Sequence, residues 1–171
     1  MRIPSIRTAV TALALALLSV ATAPHHAFAV GSVVISQVYG GGGNMGATLK
    51  NDFIELHNRS NATVSLTGWT VQYASSAGST WASTALSGSI PAGGYYLVQE
   101  AAGTGGVPGP TPDATGTIAM AAASGKVALV NTGTLLAVSC PTGSRYATAA
   151  IGMNYPRSAS RRQSRRRLLH Y

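Results

Sequence analysis

DFIELHNRSNATVSLTGWTVQY, residues 52–73, holds the alternation that decides the fold. In its first seven residues Phe53, Glu55 and His57 fall on one side of an extended chain and Ile54, Leu56 and Asn58 on the other, because successive strand side chains point to opposite faces. Ile54 and Leu56 are placed in a core, and Val64 and Leu66 of the next segment with them. A Thr67-Gly68 step follows and leads into WTVQY, where Trp69, Val71 and Tyr73 alternate. Gly68 supplies the backbone freedom of a tight turn, and Trp69 offers a large apolar plate to close the structure.

Outward from this stretch the pattern repeats. SVVISQVY (32–39) is rich in β-branched residues and runs into Gly40–Gly43. YYLVQ (95–99) follows the turn signal Pro91-Ala92-Gly93-Gly94. KVALVN (126–131) and LLAVS (135–139) flank Thr132-Gly133-Thr134 and read as a hairpin. Residues 101–114 form a Gly/Pro loop. Gly, Ala, Ser, Thr and Val dominate, and no long helical period is present, so short strands and turns predict a β-sandwich or barrel.

Charge divides the chain. Between residues 30 and 144 Lys50, Arg59 and Lys126 face Asp52, Glu55, Glu100 and Asp113, a net charge of −1. Residues 145–171 hold seven arginines and no acid. The formal net charge of +8 therefore belongs to the ends of the chain, and it does not make the folded part a nucleic-acid binder. Arg2 and Arg7 precede an apolar run from Ala9 to Ala23 that closes at Ala27-Phe28-Ala29. This is the pattern of a secretory signal peptide cleaved after Ala29. The run is shorter than the roughly 20 residues that span a bilayer, and no other segment is long and apolar enough to do so. The expected organisation is a signal peptide at 1–29, a β-sandwich at 30–144, and an Arg-rich tail at 145–171, disordered or frame-shifted. The mature chain is secreted and makes one domain that buries about two thirds of its unfolded surface.

VVISQVYGGGGN, DFIELHNRSNATVSLTGWTVQY, SGSIPAGGYYLVQE and GKVALVN, in that order and spacing, resemble the lamin tail domain over roughly residues 31–140. The most specific part is FIEL-x-N, then V-x-L-x-GW, then a Pro-Gly turn before YYLV. The resemblance implies an immunoglobulin-like β-sandwich. In bacteria the similar module precedes an endonuclease/exonuclease/phosphatase-type catalytic domain in exported nucleases, and it occurs on other secreted and surface proteins. It is not itself a catalyst, so an accessory or interaction role is implied. Similar proteins continue after the last hairpin with a further strand, often followed by a second cysteine. Here Cys140 is followed by RYATAAIGMNYPRSASRRQSRRRLLHY. A frame shift or truncated gene model is the expectation, with the last strand absent and the apolar run Ala147–Ile151 a weak substitute. One cysteine makes no internal disulfide, which leaves a free thiol, a lost partner, or a disulfide-linked dimer through Cys140.

The chemistry-bearing residues do not assemble into a known motif. Asp52 and Glu55 lie at odd spacing on one strand and diverge, so a structural role is expected. Glu55 and His57 share a face, but two ligands make no metal site, and both read as solvent-facing. His57 is the one histidine outside the signal peptide and the tail. Gly40–Gly43 lacks the Lys-Ser/Thr and helix of a phosphate loop and reads as a flexible connection. No serine sits in a nucleophile elbow. Asn58-Arg59-Ser60 and Asn61-Ala62-Thr63 match the glycosylation pattern and read as turn residues. Tyr95 and Tyr96 face opposite ways, and Trp81 is the best candidate for an exposed stacking aromatic. No catalytic, cofactor-binding or metal residues are assigned.

Three functions remain. The first is a non-catalytic secreted accessory module, the N-terminal fragment of a larger exported nuclease. The second is nuclease activity, and the third is a polyanion or DNA binder acting through the Arg-rich tail. Nucleic acid and a cell surface stay open as partners.

Overall fold

The β-branched runs pair into two four-stranded sheets in the computed structural model, which describes residues 30–141 and 146–151. After a 3-10 turn at Val30–Ser32 come β1 (Val33–Tyr39), β2 (Asn51–Asn58), β3 (Val64–Ser65), β4 (Thr70–Ala74) and β5 (Ala82–Ala85). Then follow β6 (Ser89–Ile90), β7 (Tyr95–Ala102), β8 (Ala114–Thr115), β9 (Gly125–Val130) and β10 (Tyr146–Ile151). The first sheet runs β1-β2-β7-β8 and the second β10-β9-β4-β5, while β3 and β6 form a small ribbon. All named pairings are antiparallel except β7 with β8. The architecture is an immunoglobulin-like β-sandwich.

The core sits where the strand period places it. Ile54 and Leu56 from β2 and Tyr96 and Val98 from β7 face Val71 from β4 and Val127 and Leu129 from β9, in one buried cluster with Val64, Leu66 and Trp69. Burying side chains of this size contributes about 1.5–3 kcal/mol each. Gly68 takes a φ of 82°, the left-handed conformation its turn needs. A β-bulge between Ile35 and Gln37 interrupts the register of β1 against β2.

The second sheet departs from expectation on its outer side. Residues 135–139 are not a strand, and the predicted hairpin with 126–131 does not form. The place beside β9 that the sequence left open is taken by β10, from the run Ala147–Ile151, in register from Tyr146 opposite Val130 to Ile151 opposite Gly125. Residues 132–139 instead cross the outer face of the sheet as a strap. Gln72, fully buried, donates from Nε2 to Thr134 O (2.9 Å) and accepts the Leu136 amide at Oε1 (2.9 Å). The physical reason lies in β9: Val127 and Leu129 face the core, while Ala128 and Val130 face outward and also need cover. Leu136 packs there against Ala74, Trp81, Ala128 and Val130.

The signal peptide at 1–29, with His25 and His26, and residues 152–171 of the Arg-rich tail, with His170, lie outside the described residues, while Tyr146–Ile151 of that tail, expected to be disordered or frame-shifted, form β10. Among the described residues no helix is long and apolar enough to cross a membrane.

Candidate functional site

Strand parity brings two acids to the core side of the first sheet. Asp52 shares its face with Ile54 and Leu56 on β2, and Glu100 shares its face with Tyr96 and Val98 on β7. Both are buried. They meet the segment Gly116–Ala121, which leaves the β7 edge and crosses toward β4. Asp52 accepts the Gly42 amide at Oδ1 and the Met120 amide at Oδ2, each at 2.6 Å. Glu100 accepts the Ile118 amide at Oε2 (3.0 Å). The Tyr73 hydroxyl of β4 accepts the Ala121 amide (3.1 Å). Three side chains from three strands thus hold the N–H groups of one crossing segment, of which those of Ile118 and Met120 would otherwise be stranded in the interior.

Glu100 is the perturbed member. Burial pushes its carboxyl above the ordinary 4.5, the Thr84 hydroxyl and the Ile118 amide pull it back, and the charge of Asp52 pushes it up further. The Thr84 hydroxyl stands beside this carboxyl, yet neither Thr84 Oγ1 nor Glu100 Oε1 closes a regular hydrogen bond. Gly116 makes the approach: a Cβ there would overlap both Thr84 Oγ1 and Glu100 Oε2.

The other acids are also engaged. Asp52 and Glu55 diverge as expected. Glu55 is not solvent-facing, however: it is buried on the outer face of the first sheet, where the β1 bulge turns Ser36 toward it to donate to Oε1 (2.8 Å). Asp113 accepts the Leu97 amide (2.7 Å). His57 is half-buried and stacks on Tyr95, centroids 4.4 Å apart, and Tyr39 stacks on Phe53 at 5.3 Å. Among the described residues no three His, Cys, Asp or Glu side chains gather to hold a metal ion.

The aromatic expectations divide. Tyr96 is buried with its hydroxyl donating to Ser87 O, and Tyr95 is exposed, as their opposite parity requires. Trp69 is in the core. Trp81 is not an exposed platform. It is 5% exposed under the strap, its Nε1 donating to Val138 O (3.0 Å), with the Lys126 ammonium 5.7 Å from the ring centroid. The strap was invisible in the sequence, and so was the burial of the indole it covers.

The glycine run Gly40–Gly43 is a connection between strands and a closely packed one. Gly43 has a φ of 73°, and a Cβ on it would sit on the Gly103 backbone. Gly105 donates to Gly43 O (2.7 Å). Asn58 is the last residue of β2 and not a turn residue: fully buried, it donates to the carbonyls of Ala62, Ile90 and Pro91 and accepts from Ser60, which ties down the turn that follows. Asn61 is exposed. Cys140 is exposed at the end of the strap.

The signal that would have found the carboxyl pair was present in the sequence: period two from Ile54 back to Asp52, and from Tyr96 and Val98 on to Glu100. Comparison with curated proteins returns no significant match. The sequence profile of the Lamin Tail Domain matches residues 26–143, and the chain belongs to that family.

Proposed function

We propose that this chain is an exported, non-catalytic interaction module that serves a catalytic partner, and that it is the N-terminal piece of a larger exported nuclease. One observation carries the non-catalytic reading. Each of the four acids between residues 30 and 144 is engaged by the chain's own amides or hydroxyl: Asp52 by Gly42 and Met120, Glu55 by Ser36, Glu100 by Ile118, and Asp113 by Leu97. General acid–base or metal-assisted hydrolysis needs carboxylates that converge on a substrate with acceptor capacity to spare. Asp52, Glu55 and Glu100 are buried in the scaffold, and the exposed Asp113 spends an oxygen on it. Export rests on the charged, then apolar, then Ala-x-Ala order of residues 1–29.

Two experiments test this reading. The full chain, incubated with duplex DNA and Mg²⁺, is expected to leave it intact. Metal-dependent cleavage that copurifies with the chain overturns the non-catalytic assignment. The gene, resequenced across the codons for Cys140 to Tyr171 and translated in all three frames, is expected to continue in another frame into a strand, a second cysteine and a catalytic domain. A gene with no such continuation removes the nuclease parentage.

A further inference from the structure

A sheet edge leaves main-chain groups unpaired, and folded proteins blunt their edges with short strands, charge, proline or bulges. The two four-stranded sheets end in β1, β8, β10 and β5. β1 and β10 lie against each other, and β1 also carries the bulge between Ile35 and Gln37. β8 is two residues long, with Pro110, Pro112 and Asp113 leading into it. β5 has none of these protections. Its residues Ala82–Ala85 hold no charge and no proline, pair with β4 without a register shift, and leave Ala82, Ser83 and Ala85 exposed.

The register fixes which groups face outward. The Leu86 amide donates to Trp69 O (2.8 Å), so these two opposed residues are a hydrogen-bonded pair. Such pairs alternate along an antiparallel ladder. Thr84 and Ala82 therefore bond to Val71 and Tyr73 of β4, and the N–H and C=O of Ser83 and Ala85 point away from the sheet. No group of the described residues meets them there. The complement of donor and acceptor repeated every second residue, roughly 6.8 Å apart, is another extended main chain. A groove of about 410 Å³ opens at the start of the same edge, between Tyr73, Trp81 and Ala82 on one side and Thr117, Ile118 and Ala119 on the other. Ala82 lies opposite Tyr73, so a residue paired with Ala82 from outside turns its side chain to the same face, into that groove.

We propose that the β5 edge is a strand-addition site. An extended, uncharged segment of a partner polypeptide pairs antiparallel with Ser83 and Ala85 and lays one bulky apolar side chain, opposite Ala82, in the groove. Main-chain bonds then supply affinity and the groove supplies selectivity. A second copy of this chain fits less well. A two-fold axis through Thr84 pairs Ser83 with Ala85 of the other copy, but sets Leu86 of that copy opposite Ala82, and Leu86 is buried in its own core. The groove would stay empty, and a four-residue edge alone falls far below the roughly 1,200–2,000 Å² of a stable interface. The proposal rests on the interaction-module reading, and its failure leaves the non-catalytic assignment standing, because DNA cleavage decides that separately.

The test selects a random peptide display library against the full chain and titrates the enriched peptides into it, with amide exchange followed by NMR. In the free chain the Ser83 and Ala85 amides are expected to exchange readily, and bound peptide is expected to protect them. The enriched sequences should be uncharged with a bulky apolar residue, and N-methylation at alternate peptide residues should abolish binding. Ala85→Pro removes an outward N–H, the one place a strand tolerates proline, and should weaken binding by about fivefold or more. Ser83 and Ala85 amides already protected in the free chain overturn the proposal, as does a library that yields no peptide sensitive to both N-methylation and Ala85→Pro. A dimer of the free chain that Ala85→Pro dissolves overturns the choice of occupant. If Ala85→Pro does not fold, the N-methylated peptides on the parent chain decide.

Discussion

Asp52→Asn, an isosteric change at a buried residue, is expected to be among the most damaging conservative substitutions in this domain. Asp52 accepts two backbone amides, Gly42 at Oδ1 and Met120 at Oδ2, both at 2.6 Å. A carboxamide has one acceptor oxygen. Whichever way it is turned, its NH₂ group faces an amide N–H, donor against donor. One charge-assisted bond is lost, worth about 1.5–3 kcal/mol, and a buried N–H is stranded at a further cost of about 1–3 kcal/mol. The sum, about 2.5–6 kcal/mol, takes a large part of the roughly 5–15 kcal/mol that holds a domain folded. Asp52→Ala, which strands both amides, should fall in the same range. Urea unfolding followed by tryptophan fluorescence measures it. With a slope of about 1–3 kcal/mol per molar urea, the midpoint should drop by at least about 0.8 M. A D52N midpoint within about 0.3 M of the parent would mean that the two amides find other partners, and the account of the crossing segment would be wrong.

Trp81→Ala removes a buried indole, its bond to Val138 O and the ring under Lys126, so a loss of about 3–5 kcal/mol is expected, together with faster protease cleavage within residues 132–140. Unchanged cleavage would separate the strap from the indole. Gly43→Ala places a Cβ on the Gly103 backbone at a φ of 73° and should lower the melting temperature sharply, whereas Gly133→Ala, with open space around it and no positive φ, should change stability by less than about 1 kcal/mol. Equal effects at the two glycines would contradict the close packing of the Gly-rich loop. Stability should also decline as pH rises from 4.5 through the folded-state value of Glu100. A carboxyl whose pKa is raised on folding contributes fully below its unfolded value and loses that contribution above its folded one. A stability–pH curve identical in parent and E100Q would contradict this.

The strands that build the core were legible because their signal is local. β1, β2, β4, β7 and β9 alternate or carry β-branched residues, and their parity correctly separated Tyr95 from Tyr96. β5 was not legible: ASTA has no apolar alternation, and it becomes a strand by pairing with β4. The strap was missed because a turn signal at Thr132-Gly133-Thr134 competes with a demand set elsewhere. Gln72, on another strand, offers both an acceptor and a donor at its tip and so takes the place of a ladder partner. Asp52 was rightly read as structural, but its burial and its meeting with Glu100 went unread for a related reason. Acids usually face water, and the force that draws these two inward is the set of unpaired amides of Gly42, Ile118 and Met120, none of which a sequence displays.

The inward placement of acids changes what the net charge of −1 means for recognition. Of the four acids between residues 30 and 144 only Asp113 is exposed, and Lys50 and Arg59, also exposed, flank the two ends of β2. Eight strand residues at about 3.3 Å each keep those two cations roughly 25 Å apart, well beyond the screening length of about 8 Å at physiological salt. Among the described residues the sandwich therefore carries no basic stripe, and contacts made through them should be nearly independent of salt. Six arginines lie in residues 152–171, and a polyanion bound through them should show a steep slope, approaching about −0.9 per phosphate contacted on duplex DNA. Binding of duplex DNA measured across a salt series, with the full chain and with residues 152–171 removed, separates the two routes. Loss of the slope on deletion assigns any DNA binding to the tail's charge, and a slope that survives deletion would mean that the sandwich presents cations its structure does not place together.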